Sequence, residues 1–123
     1  MMLQACIEDL LVRGLDDWIQ AAEVASVSRE TGGAQSGEGS RELSLRIIRK
    51  LLEAGLAEPG MVDEHSGFLP WGIPVDEAMR RIEGDWPTRP AGPQLGEVCW
   101  LNLTKKGHAQ AQRLWSRKGG RES

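Results

Sequence analysis

The sequence has no tyrosine, one phenylalanine, two histidines and two cysteines, and each scarcity excludes something. Two cysteines cannot build the multi-bridge framework of a small disulfide-stapled domain. Cys6 and Cys99 both sit inside apolar patterns, so they read as small buried thiols. No Cys or His pair has zinc-site spacing, and no metal or cofactor is assigned. For acid–base chemistry near neutral pH only His65 and His108 are available; His65 beside Glu64 reads as a solvated loop residue, and His108 lies in the first turns of the last helix. No serine stands in a nucleophile-elbow context, so the reading is non-enzymatic. The longest apolar runs fall far short of the roughly 20 residues that cross a bilayer. The start, MMLQACIEDLLVR, lacks the basic flank and cleavage site of a secretory signal, and a cytoplasmic location is the expectation.

What is present suits one domain. A chain of 123 residues is expected to enclose a single core and to bury roughly two-thirds of its unfolded surface. Five tryptophans supply most of the aromatic area, as core or partner anchors. The net charge of −3 conceals a segregation: residues 1–40 carry −5, residues 41–57 carry +2, residues 58–99 carry −5 and residues 100–123 carry +5. Any nucleic-acid surface must therefore be local.

Periodicity sets out the elements. Leu3, Cys6, Ile7, Leu10 and Leu11 share one helix face. After Gly14, Asp16 is placed to cap a second helix whose inward stripe runs Trp18, Ile19, Ala22, Ala25 and Ser26. Residues 31–40, TGGAQSGEGS, have no Gly-Lys-Ser/Thr and no preceding strand; they read as a mobile connector and exclude a phosphate loop. Ser40 then caps a helix with the stripe Leu43, Ile47, Ile48, Leu51 and Leu52, and Gly55 supplies its left-handed stop with Leu56 folding back. A weak strand at residues 58–62 leads into an irregular stretch containing Phe68, Leu69, Trp71 and Ile73. Pro74 opens a short helix with Val75, Met79, Ile82 and Trp86 on one face. Residues 88–97 read as a surface connection. Residues 97–103 form the clearest strand, and Thr104 caps a last helix that turns Gly107, Ala111, Leu114 and Trp115 to the core. Residues 1–118 are taken as one domain and 119–123 as a polar tail.

Two phrases carry a resemblance: Glu53-Ala54-Gly55-Leu56 at a helix end, and Trp100-Leu101-Asn102-Leu103-Thr104-Lys105-Lys106-Gly107 where a strand enters a helix. With the order of elements, they resemble the winged-helix domain. The resemblance implies an α+β, mainly helical fold: a three-helix core, a small β-hairpin, an elaborated wing insertion at about residues 58–97 and a C-terminal helix. It also implies DNA recognition by the third helix, with Ser44, Arg46, Arg49 and Lys50 facing the groove and Arg41 in support. Two features point elsewhere. The connection before that helix is about ten residues where DNA-reading pairs use about three or four, and the acidic insertion has the wrong sign for phosphates. The leading expectation is a non-catalytic module that binds a basic protein, in one form an immunity or antitoxin-type inhibitor. Its binding residues would be Asp63, Glu64, Phe68, Trp71, Asp85 and Trp86. The DNA-binding transcriptional regulator, dimeric through its N-terminal helices, stays open as the alternative.

Overall fold

Two sequence phrases some fifty residues apart meet where the helix ending at Glu53 joins the one beginning at Lys105. The computed structural model describes residues 2–117. Their helices are α1 (Met2–Arg13), α2 (Ala21–Glu30), α3 (Gly37–Glu53), α4 (Val75–Asp85) and α5 (Lys105–Arg117). The strands are β1 (Ile19–Gln20), β2 (Ala57–Asp63), β3 (Gly67–Pro70) and β4 (Trp100–Leu103). The architecture is α+β, with one antiparallel sheet in the order β1-β4-β2-β3.

At the end of α3, the amide of Gly55 donates to Leu52 and that of Leu56 to Leu51, with Gly55 at φ +71°. This double closure satisfies carbonyls that the helix leaves open, and a left-handed residue there favours glycine. The Thr104 hydroxyl donates to the Gly55 carbonyl at 2.6 Å and accepts from the Gly107 amide at 3.1 Å. It therefore caps α5 and ties that helix to the end of α3. The Thr104 amide bonds Leu56 O at 3.0 Å, and Lys106 Nζ reaches Ala54 O at 2.9 Å. Gly107 completes the junction: any Cβ there would overlap the Leu56 carbonyl oxygen.

The expected stripes of α1, α3, α4 and α5 contribute to one buried cluster, whereas α2 turns inward on Ala21, Val24, Ala25, Val27 and Ser28 and leaves Ala22 and Ser26 half-buried. The cluster takes Cys6, Ile7, Leu10 and Leu11 from α1, Ile47, Ile48, Leu51 and Leu52 from α3, Met79 and Ile82 from α4, and Ala111 and Leu114 from α5. Cys6 and Cys99 are separate buried thiols. Burial pushes the Cys99 thiol up to about 12, since a thiolate there would lose its hydration; Arg81 lowers it and Asp85 adds a smaller upward push.

Several boundaries differ from the sequence reading. Asp16 caps no helix: Asp17 instead accepts the Trp18 amide, Ile19 and Gln20 pair with Leu101 and Trp100, and α2 begins at Ala21. Cross-strand pairing overrides the local cap signal, and the Ala21 amide is satisfied by Cys99 O. Trp18 and Ile19 thus leave the helical stripe. Ser40 is likewise inside α3, buried and bonded to Ser28 Oγ at 2.7 Å, while Ser36 caps the helix by accepting from Gly39 N. The α2–α3 connection is accordingly residues 31–36. Strand β4 begins only at Trp100, because Val98 at φ +73° breaks the extended run. Trp115 is 46% exposed, so of the residues expected to face the core Gly107, Ala111 and Leu114 do and Trp115 does not. The stretch read as irregular contains β3, which closes a hairpin on β2. The 119–123 tail lies outside the described residues.

Candidate functional site

The β2–β3 hairpin has Met61 opposite Leu69 and Val62 opposite Phe68. Because strand side chains alternate between faces, these two pairs point oppositely. Phe68 turns to Trp18, its ring 6.4 Å away at 29°. It lies beside Gly60, where an added Cβ would overlap the Leu69 carbonyl oxygen and come within 2.8 Å of the Phe68 ring, so the strand-weakening glycine lets β3 and this ring approach closely. Phe68 is thereby half-buried as support for the hairpin.

The other face is open. Met61 is 37% and Leu69 47% exposed, and the alternation places Trp71 on that face as well. The Trp71 amide bonds Pro59 O at 3.0 Å, which continues the hairpin pairing beyond Pro70. The Arg81 guanidinium of α4 lies 3.9 Å from the Trp71 ring centre, a cation–π contact that fixes the indole between hairpin and helix. Its ring nitrogen is buried without a partner among the described residues. At the tip, Asp63 is exposed and accepts from the amides of His65 and Ser66 at 3.1 and 2.9 Å, and Glu64 is exposed beside it. The side-chain bonds shape the turn and leave both carboxylates at the surface.

The expected protein-binding set therefore divides. Asp63, Glu64 and Trp71 gather around the hairpin, and Asp85 is exposed at the end of α4. Trp86 is 6% exposed and belongs to the core, so it cannot anchor a partner without unfolding. Met61 and Leu69 are exposed beside this set although the expected binding residues leave them out. The signal was available: Met61-Val62 and Phe68-Leu69 flank a polar Asp-Glu-His-Ser-Gly turn, a hairpin pattern.

The α3 set divides too. Arg46 and Lys50 are exposed, whereas Ser44 is fully buried with no partner for its hydroxyl among the described residues. Arg49 pairs with Asp76 of α4 at 3.2 Å and with Glu53 at 3.3 Å; bonds to these two carboxylates raise its already high pKa. Arg41 makes a long 3.5 Å contact to Glu83 O of α4. Helix α4 thus lies along the flank of α3 that DNA reading would need, leaving a cleft of about 550 Å³ lined by Glu42, Leu45, Arg46, Arg49, Met79 and Glu83. Its charges are mixed.

No family model, curated protein or solved structure matches this chain. His65 stands in the hairpin turn, and His108 lines a shallow cleft with Asp16, Trp18 and Asn102. Among the described residues no group of three His, Cys, Asp or Glu side chains is placed to hold a metal ion, and no helix is long and apolar enough to cross a membrane.

Proposed function

We propose that the chain is a non-catalytic, winged-helix module that docks a basic protein on its hairpin. The observation that carries this reading is the register pair Met61–Leu69, an exposed apolar surface beside Trp71 with Asp63 and Glu64 at its rim. Apolar anchors at the centre of a polar rim are the usual anatomy of a docking site, and acidic rim residues steer a basic partner. The winged-helix reading draws support from β4 lying between β1 and β2, so that the strand before the helix pair and the strand after it flank the returning strand. The β2–β3 hairpin and α4 then form the elaborated wing. Inhibition of a basic toxin is one concrete form of this activity.

Regulation of transcription through α3 is the weaker reading, because Ser44 is buried and Arg49 is occupied by α4 carboxylates. The test is affinity capture from the native cell with the whole chain. A stoichiometric protein bearing a basic surface is expected on the wild type, lost with Met61→Ser plus Leu69→Ser and weakened by Asp63→Asn plus Glu64→Gln, at unchanged thermal stability. Retention of the same protein by both variants, or a captured set removed by nuclease, overturns the proposal.

A further inference from the structure

We infer, resting on the docking role proposed for the hairpin, that the basic partner enters as an added β-strand along the open edge of β3. The occupant is an extended segment with apolar side chains at alternate positions, followed by lysine or arginine. Strand β3 closes one side of the sheet, with β2 as its only neighbour among the described residues. The Trp71 amide bonds Pro59 O, and bonded and non-bonded pairs alternate along an antiparallel ladder. Leu69 with Met61 and Gly67 with Asp63 are therefore the bonded pairs, while Phe68 and Pro70 turn their backbone groups away from β2. Phe68 N–H, Phe68 O and Pro70 O thus stand in a row on the outer edge, and no loop or helix of the described residues bonds them.

An antiparallel strand continues the pattern of the sheet, in which every pair runs that way. Its central residue, opposite Phe68, exchanges two hydrogen bonds with it, and the amide two residues earlier donates to Pro70 O. Directly paired side chains share a side of the sheet, so the residues opposite Leu69 and Trp71 fall on the open face of Met61, Leu69 and Trp71. Apolar side chains of the segment at alternate positions are buried there. On the opposite face Phe68 stacks with Trp18, which holds β3 in place as the template. Past its central residue the segment runs toward the 63–66 turn, where Asp63 and Glu64 expose their carboxylates. Bases at that end meet opposite charge.

A second copy of the chain fits this edge poorly. Two β3 strands paired about Phe68 would set Pro70 of one against Ser66 of the other, whose amide is held by Asp63 at 2.9 Å. Pro70 O would then gain no bond, and proline itself withholds a donor from the pairing. Each copy would also bring the same acidic excess, −5 over residues 58–99, to the contact. A basic segment gains both the third hydrogen bond and the opposite charge.

The probe is a fluorescein-labelled peptide, Val-Thr-Val-Thr-Val-Lys-Lys, titrated with the whole chain and read by anisotropy. Saturable binding is expected. Methylating the backbone nitrogens of both threonines removes the donors to Pro70 O and Phe68 O and weakens binding about 30-fold, at about fivefold per hydrogen bond. Methylating the second and third valines instead alters amides that point away from β3 and leaves the affinity unchanged. Pro70→Val supplies an outward N–H and tightens binding about fivefold, whereas Asp63→Asn plus Glu64→Gln weakens it about threefold. In hydrogen exchange followed by NMR, the peptide slows the Phe68 amide and leaves the Leu69 amide, already bonded to Met61, as it was. Absence of saturable binding up to about 1 mM peptide, equal effects of the two methylation patterns, or an unprotected Phe68 amide overturns strand addition. So does a wild-type dimer in which the Phe68 amide is protected without peptide. A captured basic protein that Met61→Ser plus Leu69→Ser releases but the peptide does not displace overturns strand addition alone; its retention by that double variant overturns the docking role itself. A retained cooperative melt confirms that each variant is folded.

Discussion

Replacing Gly107 and Gly84 by alanine puts the same methyl group on two helices and is expected to move stability in opposite directions. In α4, a Cβ at Gly84 meets nothing within 4 Å. Only the conformational term remains, and alanine gains about 0.5–1 kcal/mol over glycine in a helix. In α5, a Cβ at Gly107 would overlap Leu56 O and stand 2.9 Å from its carbonyl carbon and 3.2 Å from its Cα. The obstacle is backbone, which has no rotamer to change, so α5 must lift. Overpacking costs about 1–3 kcal/mol, and lifting strains the Thr104 bonds to Gly55 and Leu56, worth about 1 kcal/mol each. Set against the helix-propensity gain, the net loss is about 2 kcal/mol. At about 4 °C per kcal/mol for a domain of this size, Gly107→Ala lowers the melting temperature by about 8 °C and Gly84→Ala raises it by about 2–4 °C. Thermal and urea unfolding followed by circular dichroism measures both. A neutral or stabilising Gly107→Ala refutes the seating of α5 on the α3 terminus.

The Glu97 carboxyl is held at about 2, below its ordinary 4.5, chiefly by the Arg89 hydrogen bonds and then by the Gln94 amide. A depressed carboxyl stabilises the fold above its unfolded value and loses that contribution as pH falls from about 4.5 toward about 2. Glu97→Gln should flatten the melting temperature across that window, and an unchanged acid slope would contradict the pairing. The Cys99 thiol, raised to about 12 by burial, is expected to resist iodoacetamide at pH 8 until denaturant is added, as read by mass spectrometry. Because its pKa is raised, the associated stability is present below the ordinary 9.0 and is lost as pH climbs toward about 12. Labelling of native Cys99 at the rate of an unfolded control would show that the site is open.

Local chemistry made much of the framework legible. The stripes of α1 and α3, the Gly55 stop and the Thr104 cap depend on residues within a few positions of one another, and periodicity and capping report such relations directly. The candidate surface was partly legible in the same way. Asp63, Glu64 and Trp71 stood out by residue type. The sequence alone determined a predominantly helical chain with separated charge and two strong terminal signals.

Only the tertiary structure decided which signals would prevail. Ile19 and Gln20 became strand because Leu101 and Trp100, some eighty residues later, supply their partners. Ser40 became a buried contact because Ser28 lies opposite it. Ser44 and Trp86 lost their surface roles to packing, and α4 took Arg49. Met61 and Leu69 acquired a common open face from strand register, which no single stretch encodes. For Ile19, Gln20 and Ser40 the physical reason is the same: long-range pairing and burial outweigh a local propensity worth about 1 kcal/mol or less.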